Sequence, residues 1–176
     1  MQNLNKNSQK LYEYIKNNIN KFDCNSLRFS IDEIKNFALK NDKFKATAID
    51  ALTLLSDMRY DTGRIKRSSI LSILKENIDE IFASTKKINE KTDSIYCAID
   101  FNTKNEIRAP QNKEEILIID AEKFKPEGDL CDANLIVKAY HLGWKKFIVY
   151  KYRGQRFTGC GFGPGTEDVK IALPLT

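Results

Sequence analysis

Apolar residues recur at helical spacing through residues 1–90, then give way to short unbroken runs of strand length. Leu11, Ile15, Ile19 and Phe22 form the first stripe. Ser30-Ile31-Asp32-Glu33 reads as a capping box with Phe29 and Ile34 in hydrophobic-staple positions, and so predicts the start of a second helix. Ile34, Phe37 and Ala38 continue its apolar face. A third helix is expected from about Lys45 to Met58 on the stripe Ala48, Leu52 and Leu55. A fourth, from about Ser68 to Phe82, is the most clearly amphipathic segment of the chain, with Ile70, Leu71, Leu74, Ile78, Ile81 and Phe82 on its apolar side. The polar stretch from Ala83 to Asp93 has no period and reads as a linker.

The second half changes rhythm. Ser94 to Phe101 is a strand-length apolar run, and Arg108-Ala109-Pro110-Gln111-Asn112 has loop chemistry. A β-α-β unit follows. Glu115 to Asp120 reads as a strand buried on both faces. Pro126 and Gly128 break the chain, and Asp129 is placed to cap a helix whose apolar side is Leu130, Ala133, Ile136, Val137 and Tyr140. Gly143 stands where a left-handed helix terminator belongs. Phe147 to Tyr150 is the return strand and Val169 to Leu173 a last short one. A strand–helix–strand crossover favours parallel pairing and right-handedness. The expected fold class is therefore α+β: a bundle of about four helices over 1–90, then an α/β domain over 91–176 with a glycine-rich turn and a terminal strand.

That glycine-rich turn is the segment from Tyr152 to Gly165, where Gly159, Gly161, Gly163 and Gly165 alternate. In an extended chain alternate residues share a face, so these four present bare backbone, suited to a close approach or to positive φ. A phosphate cradle is disfavoured. Counting from Gly159 and Gly161, the third glycine of a dinucleotide fingerprint is Pro164, and no helix start follows.

Gly154-Gln155-Arg156-Phe157 followed by Gly159-Cys160-Gly161 resembles the entry to the GXGXG domain of the glutamate synthase large subunit and of glutamate-synthase-like proteins. The similarity runs roughly from Ile116 to Ile171 and includes Ile119-Asp120-Ala121, Pro126-Glu127-Gly128 and Leu142-Gly143-Trp144. In that family the motif opens a right-handed parallel β-helix of many glycine-marked turns. The present sequence holds one such turn, so the resemblance implies a piece of that helix or a reuse of its entry unit. It also implies a structural spacer, because the family's amidotransfer and redox chemistry lie in other domains whose motifs do not occur here.

Composition narrows the classes further. The 176 residues are 41% hydrophobic and 30% charged, as in a globular protein. No run approaches a membrane span, no secretory signal is visible, and the cytoplasm is the expected compartment. Cys24, Cys97, Cys131 and Cys160 stand alone, without zinc or iron–sulfur spacing, and read as reduced thiols. No metal and no cofactor is called for. The only histidine, His141, reads as a packed or surface residue. The net charge of +5 is uneven: +4 in residues 1–90 and +1 in 91–176.

Three residue groups carry candidate chemistry. Arg153, Gln155 and Arg156, with the backbone of Gly159, Gly161 and Gly163, are the candidates for holding a partner or an anionic metabolite. Arg59, Arg64, Lys66 and Arg67 are the candidates for nucleic-acid contact, beside a helix-turn-helix made of the second and third helices across Asn41-Asp42-Lys43-Phe44. Asp120, Glu122, Glu127, Asp129 and Asp132 crowd the loop after the first core strand, where parallel α/β units bind ligands; a paired-carboxylate acid/base site is the alternative and solvated loop charge the default reading. No nucleophile sits in a catalytic context; Cys160, near Arg156, reads as a small apolar filler. The expectation is a non-catalytic structural or interaction protein that associates with another chain, or with itself, through its last strand edge. A nucleic-acid-binding regulator is the alternative, and an enzyme acting on an anionic metabolite the weaker one.

Overall fold

A computed structural model describes residues 6–91, 94–151, 161–163 and 165–173, and within α3 leaves the side chain of Lys43 aside. The protein is α+β, helical in its N-terminal half with a parallel sheet in its C-terminal half. The chain divides into two compact units, Met1 to Ser84 and from Thr85 onward.

The first unit holds α1 (Lys6–Asn18), α2 (Cys24–Lys40), α3 (Asp42–Asp57) and α4 (Arg67–Ala83). Helix α3 is central and packs against each of the other three, and α2 also packs on α4. Ile15, Leu27, Ile31, Leu52, Leu55, Leu74 and Ile78 are buried to 3% exposure or less, each contributing about 1.5–3 kcal/mol by leaving water. Most of the stripe residues read from the sequence are buried, but Phe37 of the second stripe is 55% exposed and Leu11, Ile34 and Leu71 are half-buried, and the start of α2 lies elsewhere. Asp23 accepts from the Ser26 backbone N–H at 2.8 Å, and the Ser26 hydroxyl closes the box on the Asp23 N–H at 2.9 Å. The helix thus begins at Cys24, well before Ser30. Ser30 sits inside it, its hydroxyl donating to the Ser26 carbonyl, and Phe29 is 67% exposed rather than a staple.

The second unit is built on four parallel strands, β1 (Tyr96–Ile99), β2 (Ile116–Asp120), β3 (Lys146–Tyr150) and β4 (Lys170–Ala172), in the spatial order 1-2-3-4. Cys97, Ile99, Leu117, Ile119, Phe147 and Val149 line one face. Their cluster takes in residues of all three connections: Phe101 and Ile107 before β2, Leu135, Ile136 and Ala139 of α5 (Asp132–His141) before β3, and Phe162 and Val169 before β4. The described core residues of every connection therefore lie on the same side. That is what one crossover hand requires when each step moves one place in the same direction. Among the described strands the order never reverses, so they form no topological switch point.

Two expectations change here. The expected linker Ala83 to Asp93 is not free where it is described: Lys87 bridges Ala98 in parallel, and Ile88 is buried in the sheet core. Asp129 does not cap α5. Lys125 bridges Cys131 and closes residues 126–130 into an exposed loop, so α5 begins at Asp132, and Leu130 is 39% exposed. The other end of α5 terminates as expected. Gly143 has φ +106°, its N–H donates to the Tyr140 carbonyl, and the Trp144 N–H reaches back to the Ala139 carbonyl. This is a Schellman closure with the Trp144–Ala139 contact that accompanies it. Cys97 lies on the core face of β1, and burial, followed by the Glu115 carboxylate, pushes its thiol up to about 12.

Candidate functional site

Parallel strands deliver whatever follows them to one edge of the sheet. Ile99 is level with Ile119, and Asp120 with Tyr150, so Asp100, Asp120 and Lys151 arrive together at the carboxyl edge. Asp100 Oδ1 accepts from the N–H groups of Asn102 and Thr103, both at 2.9 Å, and from the Thr103 hydroxyl at 3.0 Å. Its Oδ2 takes the Lys87 ammonium at 2.7 Å. Partial burial pushes the Asp100 carboxyl up, but Lys87 and Thr103 outweigh it and hold the group at about 2.

Asp120 is held in the same way from the neighbouring strand. Its Oδ1 accepts from the Glu122 N–H at 3.0 Å, and its Oδ2 from the Tyr150 hydroxyl at 3.2 Å and the Lys151 ammonium at 2.8 Å. Lys151 also reaches Glu122 at 3.4 Å. Partial burial lowers the Lys151 pKa, yet Asp120 and Glu122 raise it overall. The backbone of Lys151 is left-handed, φ +56°, a conformation that a side chain adopts at a cost.

Asp100, Phe101, Asn102, Asp120, Glu122 and Lys123 line a cleft of about 150 Å³ at this edge. Pockets for drug-sized ligands begin at about 300 Å³. Both aspartates already accept from ammonium and backbone donors, which suits them to fixing turns rather than to abstracting a proton. Among the described residues no group of three or more His, Cys, Asp or Glu is arranged to hold a metal ion.

The glycine segment divides. Arg153, Gln155, Arg156 and Gly159, with Cys160, lie outside the described residues. Gly161 has φ +121°, and a Cβ there would come within 3.0 Å of Val137 Cγ2 on α5. It needs both the conformation and the space. A Cβ on Gly163 would meet open space, and the Gly163 carbonyl accepts from the backbone and hydroxyl of Thr166. Between them Phe162 stacks edge-on against Tyr140, ring centroids 5.3 Å apart. The described part of the segment is a packed turn on α5.

The basic group of the helical unit also divides. Arg59, Arg64 and Lys66 are exposed. Arg67 turns inward: it donates to the carbonyls of Ser56 and Met58 at the end of α3 and lies 4.8 Å from the centroid of the Tyr60 ring. Asn41 alone separates α2 from α3, capping one and starting the other, whereas helix-turn-helix units use a turn of three or four residues. His141 is exposed, and no described helix is long and apolar enough to cross a membrane.

Of the carboxyl-edge residues, Asp120 and Glu122 were in view from the rule that loops after parallel strands gather function. Asp100, Lys87, Tyr150 and Lys151 were not. Their common signal is position: each borders a strand end or bridges one. Comparison with known protein families, with curated proteins and with solved structures finds no match.

Proposed function

We propose that the chain is a non-catalytic structural or interaction module, related to the GXGXG domain of glutamate-synthase-like proteins, whose sheet is extended at β4 by a strand of another chain or of a second copy. The observation that carries this reading is the monotonic parallel order β1-β2-β3-β4 with the described core residues of each connection on one face. The described strands step in one direction and end on β4. No described residue pairs with the outer side of β4. The Lys170 N–H donates inward to the Lys145 carbonyl at 2.8 Å. Backbone groups alternate sides along a strand, so the N–H and C=O of Ile171 face outward, and an open edge of this kind invites pairing. The engaged carboxylates of the other end support a non-catalytic role. The compartment proposed with it is the cytoplasm, where buried Cys97 and Cys131 serve as reduced apolar fillers.

Ile171→Pro removes the outward N–H and is tolerated by an edge strand. Sedimentation across a concentration range, together with a pull-down, tests the reading. The expected result is association by the wild-type chain, with itself or a partner, that the variant loses while keeping its circular dichroism spectrum. A wild-type chain that stays monomeric at every concentration and retains no partner overturns it.

A further inference from the structure

The β4 edge carries an exposed positive charge at Lys170. Lys146 is level with Lys170 across β3 and β4. Lys146 pairs with Glu114, and that carboxyl is held down first by Lys146, with a lesser contribution from Lys170. Lys170 is exposed and makes no ion pair among the described residues; the carboxylates nearest it in sequence, Glu167 and Asp168, make none with it. The row Lys146–Lys170 therefore ends on a positive charge at the open side. One residue on, Ile171 turns to the core face and is half-buried beside Phe162 and Val169.

Resting on the edge reading above, we infer that the strand accepted by β4 carries an acidic residue opposite Lys170 and an apolar, β-branched residue beside Ile171. The carboxylate completes the charge row, since opposite charges on adjacent strands attract and like charges repel. The β-branched neighbour continues the apolar layer over α5, as Val149 and Ile171 do within the sheet. The partner is thus an acidic strand of alternating Glu or Asp and Val or Ile, rather than a basic one.

The test uses the full chain with two capped eight-residue peptides, one alternating Glu and Val, the other Lys and Val. Binding is read by fluorescence anisotropy and by hydrogen exchange at the Ile171 amide. The expected result is binding of the Glu–Val peptide about threefold or more tightly than the Lys–Val peptide, with slowed exchange at Ile171. Lys170→Glu, a surface change, is expected to reverse the preference. Protection of the Ile171 amide by both peptides alike, insensitive to Lys170→Glu, overturns the acidic-partner inference and leaves edge pairing standing. Binding that leaves the Ile171 amide unprotected, or no binding by either peptide, overturns the inference. Loss of self-association or partner capture in Ile171→Pro then decides edge pairing on its own.

Discussion

The two ends of the parallel sheet use the same chemistry to different effect. At the amino edge, Arg108 grips Glu115 with two guanidinium nitrogens, at 2.7 and 3.2 Å, and the Glu115 side chain is only 2% exposed. Arg108 also donates to the Ile88 carbonyl at 3.1 Å, and its own carbonyl takes the buried Trp144 indole N–H at 2.6 Å. One residue thereby ties together the segment before β1, the loop before β2 and the turn after α5. At the carboxyl edge the pairs Lys87–Asp100 and Lys151–Asp120 are single contacts, partly buried beside a cleft, and neither carboxylate is sequestered as Glu115 is. A bidentate grip on a buried carboxylate is costly to break, whereas a single contact between partly exposed groups contributes less. The sheet is locked at one end and only trimmed at the other.

The sharpest way to break this contrast is Arg108→Ala, which strands a buried carboxylate. A loss of about 3–5 kcal/mol in urea unfolding is expected. Arg108→Met combined with Glu115→Leu should recover most of it, because no charge is left without a partner. Next comes Gly161→Val, which forces a side chain into a positive φ against Val137 and should cost about 1–3 kcal/mol by the same measurement. Asp100→Ala removes the cap of the turn 100–103 and should cost about 1 kcal/mol.

Acid sharpens that last case. The folded Asp100 pKa is depressed, so its contribution is complete above the unfolded value near 3.8 and is lost as pH falls toward about 2. Stability curves of the wild type and Asp100→Asn should therefore converge over that interval. Smallest of all is Lys151→Gly. It relieves the left-handed backbone but deletes the pairs with Asp120 and Glu122, so the two effects should offset to within about 1 kcal/mol.

Periodicity made α1, α3, α4 and every strand legible, because each buries a stripe or run continuous in sequence. The parallel pairing and the Gly143 terminator followed from local rules for the same reason. Two helix starts escaped. The α2 box is Asp23 with Ser26, the reverse of the usual hydroxyl-then-carboxylate order, and α5 is delayed by a bridge between Lys125 and Cys131 that only the folded chain forms. The carboxyl edge was half legible. Asp120 and Glu122 follow an obvious strand, but Lys87 joins Asp100 from a polar stretch that periodicity marks as linker. Arg108 does lie in a loop, as its neighbours predict, but its linking role there is invisible in the sequence because its partners lie 7, 20 and 36 residues away.

The position of Cys97 gives the second unit its own clock. A thiol held at about 12 inside the sheet is almost wholly protonated at neutral pH and shielded from reagents, whereas Cys24 stands exposed at the start of α2. A pulse of iodoacetamide followed by peptide mass spectrometry will mark Cys24 at once. It will mark Cys97 only in molecules whose strands have parted, so the rate at which that one peptide gains mass measures how often the sheet opens.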